Sequence, residues 1–318
     1  AGKIDEACDW DVVRAELAGE AVPAASIGEY LTGINSGART SVDRNYLARA
    51  EASGLTDVRP LHLVTDVTTD EQDRYLVRAD KIDADGTLLA RVVLTADAVF
   101  LAAGSMGTSR MLVRARESGA LPRLNEHVGR HWGNNGLRIY LRTLVPEPTG
   151  AHQGGPTSVA ITAWDDPDRA VTIEFGPAPL PVETHTMALP GIGICSPVGR
   201  FEYQPLTDDV RLIWSADGDR AAREAILGTL QRLVTATGPD ALVDMNAVEE
   251  YTFHPLGGAV LGQACDGYGR LAGYRGLYVV DSALIPGSTG ACNPALTVTA
   301  LAERCLDDVV TRDVDTVF

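Results

Sequence analysis

Three places along the chain combine residue types that could do chemistry. The run Phe253-His254-Pro255-Leu256-Gly257-Gly258 sets a histidine against a proline and two glycines. Such a backbone can hold a sharp turn and approach a ligand closely, and histidine is the side chain most often poised to exchange protons near neutral pH. Taken alone, His254 reads as a structural or solvated residue beside a turn. The run Pro286-Gly287-Ser288-Thr289-Gly290-Ala291-Cys292-Asn293-Pro294 enters a helix with Asn293 at the cap and Pro294 at the first position. A cap of this kind stabilises a helix by about 1 kcal/mol. A helix start after a glycine-rich loop also offers free amides to an anion or to the electron-rich edge of a reduced ring cofactor. Glu174 stands inside the apolar stretch Val171-Thr172-Ile173-Glu174-Phe175. On a strand it alternates with Ile173 and Phe175 and could face water. Facing a closed cavity, its pKa would rise and it would serve as a proton shuttle.

Segments of two periods must position these residues. The stretch 74–82 alternates imperfectly, Asp83-Ala84-Asp85-Gly86 supplies turn chemistry, and 88–94 is apolar, which predicts a β-hairpin. The unbroken apolar run 98–103 predicts a strand buried on both faces, as in a parallel sheet. Through Gly104-Ser105 it leads to a helix over 108–118, with Met111, Leu112 and Ala115 apolar. Strand, glycine turn and helix make a nucleotide-binding kind of corner. Short strands are predicted over 160–164, 171–175, 200–203 and 210–214, interrupted by a proline-rich loop over 177–181. The clearest helix covers 221–237, with Ile226, Leu227, Leu230 and Leu233 on one face. Near the end, 277–281 is another buried strand closed by Asp281, and 294–307 an amphipathic helix. Two α/β corners thus bracket one β-rich insertion, which reads as a separate sheet domain.

Composition excludes several function classes. The 318 residues carry 43 Asp and Glu against 27 Lys and Arg, a formal charge of -16, with no basic cluster. A sequence-independent grip on nucleic acid is therefore not expected. No apolar run approaches the roughly 18 to 20 residues that cross a bilayer. Five scattered cysteines, never spaced as C-x-x-C, indicate neither a disulfide framework nor a zinc site, and no metal is expected. A reduced, cytoplasmic compartment is favoured over a secreted one. The chain begins with Ala1 and has neither the basic start nor the apolar stretch of a signal peptide, so a processed or cut start is expected.

In this order and together, several stretches resemble the glucose-methanol-choline (GMC) family of flavin oxidoreductases, and within it the bacterial cholesterol oxidases with non-covalent FAD. They are 102–105 through 112–116, Pro148-Thr149-Gly150-Ala151-His152-Gln153, His254-Pro255-Leu256-Gly257-Gly258 with Gly262, Tyr268-Gly269-Arg270, Ala272-Gly273-Tyr274, Leu284-Ile285-Pro286-Gly287-Ser288 through Asn293-Pro294, and 300–304. The resemblance implies an α+β and α/β fold. A Rossmann-like FAD-binding domain, incomplete in this chain, would be combined with an antiparallel β-sheet substrate domain with helices. The implied division is a substrate-domain tail over 1–37, FAD-binding parts over 38–129 and 268–318, and the substrate-binding sheet over 130–267.

By position, His254 and Asn293 correspond to the family's active-site pair, which binds a substrate hydroxyl while its carbon-bound hydrogen passes as hydride to the flavin. Glu174 falls where cholesterol oxidases keep the acid that moves a proton between ring carbons. Gly104, Ser105, Asp281, Gly290, Asn293 and Pro294 are implied as FAD contacts. The departures are Phe253 in place of tyrosine, Ala259 after the glycines, Ala291-Cys292 before Asn293, and a weakly matching middle domain, which leaves steroid specificity open. No Gly-x-Gly-x-x-Gly occurs in the sequence. A doubly wound sheet without its first strand would expose two edges and apolar faces. A second polypeptide carrying the missing FAD-binding half, cleaved or separately encoded, is therefore expected as partner. The expected substrate is a bulky apolar secondary alcohol, sterol-like or polycyclic, oxidised to a ketone with O2 giving H2O2. The rival expectations are a redox-silent isomerase or cyclase on the same fold and a non-catalytic subunit.

Overall fold

The computed structural model describes every residue except 30–31, 156, 179–181, 216, 239 and 248–249. The proline-rich loop expected over 177–181 therefore falls partly outside the described residues. The chain forms two compact units, each from three separated stretches. The first takes Ala1–Val58, Leu137–Gly193 and Ala222–Tyr251; the second takes Arg59–Gly136, Ile194–Ala221 and Thr252–Phe318. The sequence-based boundaries at 37/38, 129/130 and 267/268 divide the chain differently, because 38–58 group with the first unit, and 194–221 and 252–267 with the second.

In chain order, β1 (Gly2–Lys3), α1 (Trp10–Ala18) and α2 (Tyr46–Ala52) belong to the first unit. The second unit follows with β2 (His62–Thr69), β3 (Tyr75–Ile82), β4 (Leu88–Ala96), β5 (Val99–Leu101), α3 (Gly104–Glu117) and β6 (Arg130–Trp132). The chain returns to the first unit with β7 (Leu137–Thr143), β8 (Val159–Ala163), β9 (Val171–Glu174) and β10 (Met187–Ile192). Strands β11 (Gly199–Gln204) and β12 (Asp209–Ile213) rejoin the second unit, α4 (Arg220–Thr237) and β13 (Ala241–Asp244) lead through the first, and β14 (Leu277–Val279) and α5 (Pro294–Arg312) end in the second.

In the first unit six strands pair antiparallel in the order β1-β8-β9-β10-β7-β13. The sheet period of two sends Ile173, Leu189 and Tyr140 to one face, where they pack with Ile226 and Leu230 of α4. Full burial of each aliphatic side chain stabilises the unit by about 1.5–3 kcal/mol. Gly191 in this face is required: a Cβ there would lie 2.6 Å from Ile226 Cγ2, so its absence lets α4 close on the sheet. The opposite face carries Leu137, Ile139, Leu141, Ala160, Ala188, Pro190 and Ile192, with Thr162, Thr172 and Glu174. Beside the sheet, Glu16 of α1 is buried and its carboxylate organises the 24–26 turn. It accepts from the amides of Ala24 at 3.0 Å and Ser26 at 2.9 Å and from Ser26 Oγ at 2.8 Å.

The second unit holds three smaller sheets around one apolar core that includes Leu101, Leu112, Val113, Trp132, Phe201, Leu277 and Val279. The expected hairpin is β3–β4, and β2 extends it to an antiparallel meander that the sequence reading did not anticipate. Strands β5 and β14 run parallel, with Phe100 stacked on Tyr278 at a centroid distance of 4.6 Å. Two expectations need correction. The short strands of the middle region do not share one sheet: β8 and β9 join the six-stranded sheet, whereas β11 and β12 pair with β6 in the second unit. The strand at β5 is not buried on both faces either, since Phe100 is 39% exposed. One expected open edge is occupied: β14 bonds along its outer side to 269–271, through Val279 N to Gly269 O at 2.8 Å and Leu271 N to Leu277 O at 2.9 Å. Strand β5 pairs only with β14 among the described strands. Among the described residues, no helix is long and apolar enough to cross a membrane.

Candidate active site

The parallel pair β5–β14 brings two chain turns together at its carboxyl end. From β5 the chain passes through Ala102 and Ala103 into α3 at Gly104, whose φ of 71° suits glycine. From β14 it reaches Asp281. The buried Asp281 carboxylate accepts from Thr108 Oγ1 at 2.5 Å and from the Ala283 amide at 2.8 Å. Burial pushes its pKa up, against the opposing pull of hydrogen bonds from Thr108 and the Ala283 and Gly104 amides. Ser105 is engaged in the same way: its amide donates to Ser282 Oγ at 2.8 Å and its hydroxyl to Gly257 O at 2.7 Å. Asp281 and Ser105 thus tie α3, the 257 turn and the segment after β14 into one rigid corner.

The turn after His254 is built for internal contact. A Cβ on Gly257 would fall 2.1 Å from His131 O, and one on Gly258 1.8 Å from Ser109 Oγ. The two glycines, at φ of 90° and 108°, let this turn close on β6 and α3. Their small size lets the turn pack against the His131 carbonyl and the Ser109 side chain. Leu256 bonds to Gly133 in both directions, at 3.0 and 3.1 Å. The His254 amide donates to Thr252 Oγ1 at 2.9 Å, whose hydroxyl donates to Asn134 O at 3.0 Å. Burial lowers the His254 pKa to about 4, so the imidazole is neutral at physiological pH.

Facing this turn is the loop 286–293. Asn135 fastens it: its Oδ1 accepts from the Thr289 amide at 2.8 Å and hydroxyl at 3.0 Å, and its Nδ2 donates to Cys292 O at 2.9 Å. The same Nδ2 lies 3.5 Å from His254 Nδ1. The Asn135 amide donates to Gly287 O at 3.1 Å, which also accepts from the buried Cys195 Sγ at 3.0 Å. Asn293 follows at the start of α5, exposed, with its side chain making no capping bond, and Pro294 stands at the first helical position. The second unit therefore brings His254 and the Asn293 loop together through Asn135. The sequence reading missed Asn135; the Asn134-Asn135-Gly136 run is a turn signature that could have marked it.

Glu174 belongs to the first unit. It ends β9 opposite Ala160 and shares with Thr172 the sheet face away from α4. It is the one acidic side chain among the ten residues of that face named above. On the α4 side, the buried Arg138 guanidinium contacts both Glu250 oxygens at 2.9 Å. The 148–153 segment, also in this unit, is held by Glu183, which accepts from Thr149 N at 3.2 Å and from His185 N at 2.6 Å.

The geometry can be set against an FAD. At Gly104 and Gly290 a Cβ would meet nothing within 4 Å, so open space adjoins the starts of both α3 and α5. The 19-residue α5 presents its positive end there, with Asn293 exposed. These features suit the electron-rich edge of a reduced ring system. A pyrophosphate cradle is a different matter, because the sequence holds no Gly-x-Gly-x-x-Gly.

Comparison with known proteins agrees on the class. A family model described as GMC oxidoreductase matches residues 203–302, and one described as GMC oxidoreductase, C-terminal, matches 136–245; together they span more than half of the chain. The chain belongs to the GMC oxidoreductase family, and FAD is the cofactor that this membership assigns. It is similar to the cholesterol oxidase of Acinetobacter baumannii, 24% identical over 88% of this chain and 60% of that protein. It is also similar to that of Mycobacterium tuberculosis, 27% identical over 86% and 57%. The chain thus spans about 60% of the length of these relatives. Among solved structures, an FAD-dependent oxidoreductase from Chaetomium thermophilum shares the fold with a TM-score of 0.62 at 16% identity, covering 87% of this chain and 65% of that one. The formate oxidase of Aspergillus oryzae does so at 0.57 and 14%, covering 81% and 61%.

Proposed function

We propose that this chain supplies the substrate side and the oxygen-binding pair of an FAD-dependent oxidoreductase that converts a bulky, mostly apolar secondary alcohol to a ketone. The observation that carries this reading is the neutral imidazole of His254, held by the Asn135 amide that also fixes the loop leading into Asn293. His254 and Asn293 hold the alcohol oxygen from two sides, which orients the carbon-bound hydrogen. A bound FAD would supply the acceptor for that hydrogen as hydride. The oxygen-bound hydrogen leaves as a proton to water, and O2 takes up the equivalent of both as H2O2. The alcohol thus loses two hydrogens and O2 gains two.

The similarity to cholesterol oxidases supports an apolar substrate. Glu174, at the position where the sequence resembles the cholesterol oxidases' proton-moving acid, is the group that would move a proton between ring carbons and isomerise a double bond after oxidation. Gly104, Ser105, Asp281, Gly290 and Pro294 shape the flavin side: Ser105 and Asp281 by bracing the corner, Gly104 and Gly290 by leaving room, Pro294 by starting α5. A further polypeptide stretch carrying the dinucleotide fingerprint would cover β5 and α5. Phe100 and Leu296, 39% and 82% exposed, mark the faces concerned.

The test is anaerobic mixing of the FAD-bound assembly with sterols and polycyclic secondary alcohols. Bleaching of the flavin absorbance, with a ketone two mass units lighter as product, is the expected result. A bound flavin that no alcohol bleaches, or a product of unchanged mass, would overturn the oxidase reading. Intact-mass analysis of the purified material checks for the additional stretch.

A further inference from the structure

We infer that Asn135 is a positioning residue that sets the orientation of His254 and the place of Asn293 with a single amide group. The inference rests on the proposed role of that pair. Asn135 is fully buried and holds a left-handed backbone at φ 58°, a conformation that Asn tolerates better than most side chains. Its amide has only one consistent orientation. The Thr289 amide can only donate, so Oδ1 must face it; the Cys292 carbonyl can only accept, so Nδ2 must face it. The nitrogen turned toward His254 Nδ1 is therefore a donor, and the imidazole nitrogen facing it must be the acceptor. A neutral ring with an accepting Nδ1 carries its hydrogen on Nε2. The other side of the same amide holds the carbonyl immediately before Asn293. It lies in a turn where Ala291 adopts φ 60° and Gly290 φ 74°, so the loop depends on this clip to keep a conformation that a non-glycine residue disfavours.

The bond to His254 is the longer of the two Nδ2 contacts, 3.5 Å against 2.9 Å, so the imidazole is steered while the turn is clamped. Protonation of Nδ1 would set two donors against each other. This repulsion adds to burial in keeping the ring neutral. Thr252 fixes the His254 backbone to Asn134, next to Asn135, so ring and clip share one support.

The test uses the complete FAD-bound protein labelled with 15N-histidine. Wild type is expected to show the His254 ring as the Nε2–H tautomer, identified by loss of its signal in His254→Gln. Asn135→Asp keeps the shape and the tolerance for this backbone but replaces the donor with a carboxylate. It should raise the His254 titration point by about one to three pH units. Asn135→Gly keeps the backbone freedom and removes the clip, and should lose the single-tautomer signature and slow flavin reduction by alcohol at least about tenfold, consistent with loss of about 1.4 kcal/mol of transition-state positioning. A His254 titration unmoved in Asn135→Asp, or wild-type tautomer and reduction rate in Asn135→Gly, would overturn the inference. The tautomer and titration are read without substrate, so a wild type that reduces with no alcohol sinks the proposed function and leaves the Asn135 result standing or falling by itself.

Discussion

The two units solve the problem of burial in opposite ways. In the first, a six-stranded sheet and α4 enclose Ile173, Leu189, Ile226 and Leu230, and beside them the buried Glu16 carboxylate is matched by the amides of its own turn. In the second, sheets of two and three strands surround a core whose polar links, Asp281 to Thr108 and Asn135 to the 289–292 loop, hold backbone turns at the ends of β5 and β14. A sheet of six antiparallel strands closes most of its own hydrogen bonds and can present one flat apolar face. The two-stranded parallel sheet leaves Phe100 of β5 39% exposed, and both units carry exposed apolar side chains, among them Leu55 in the first and Leu296 on α5 in the second. The first unit thus builds its core on one large sheet and a helix, the second on several small sheets whose ends are joined by aligned polar groups.

The sharpest way to break that division is His254→Ala. It should lower the rate of alcohol-dependent flavin reduction by roughly a hundredfold to ten-thousandfold, with little change in the melting of either unit, as stopped-flow absorbance and calorimetry would show. An equal loss of thermal stability would mean that His254 is a packing residue. In the first unit, Leu189→Ala should cost about 2–5 kcal/mol of folding stability in chemical denaturation while FAD retention by folded protein stays unchanged. Glu16→Gln should cost about 1–3 kcal/mol, because the 24–26 amides lose a charged acceptor.

Glu16 also sets an acid limit. Its hydrogen bonds hold its pKa down to about 2 from a usual value of 4.5, against the opposing effect of burial. A carboxylate lowered in the folded state contributes stability that is present above pH 4.5 and is lost as pH falls through about 2. Acid titration followed by circular dichroism should show this loss diminished in the Gln variant. His254, with its pKa lowered to about 4 by burial, predicts that flavin reduction is independent of pH between 6 and 8 and declines as pH falls through about 4. The smallest effect on oxidation is expected of Glu174→Gln. The ketone should still form at the wild-type rate, with its double bond left in place, as product analysis by NMR would record.

Local regularities made part of this architecture readable. The hairpin β3–β4, the β5–α3 corner, and helices α4 and α5 follow from alternation, glycine position and helical spacing, which depend on near neighbours in the chain. Strands β2, β7 and β10 escaped notice. In β10, Pro190 and Gly191 argue against a strand by composition, yet Gly191 is needed for the approach of Ile226. The division of β8, β9, β11 and β12 between two sheets depends on partners far away in sequence, which no local pattern carries. At the site, His254 and the 286–294 loop were visible as motifs. Asn135 was not, because its importance comes from bonds to residues 119 to 157 positions away.

Family membership, the implied cofactor and the identity of the candidate pair were therefore already contained in the order of motifs, since residue types and spacings persist along the chain whatever their partners. Tertiary structure alone decided that the glycines after His254 serve packing, that Asp281 and Ser105 brace a corner, and that one asparagine links the histidine to the loop before Asn293. Those roles arise from hydrogen-bond direction and close approach, and both exist only once distant segments have been brought within about 3 Å of one another.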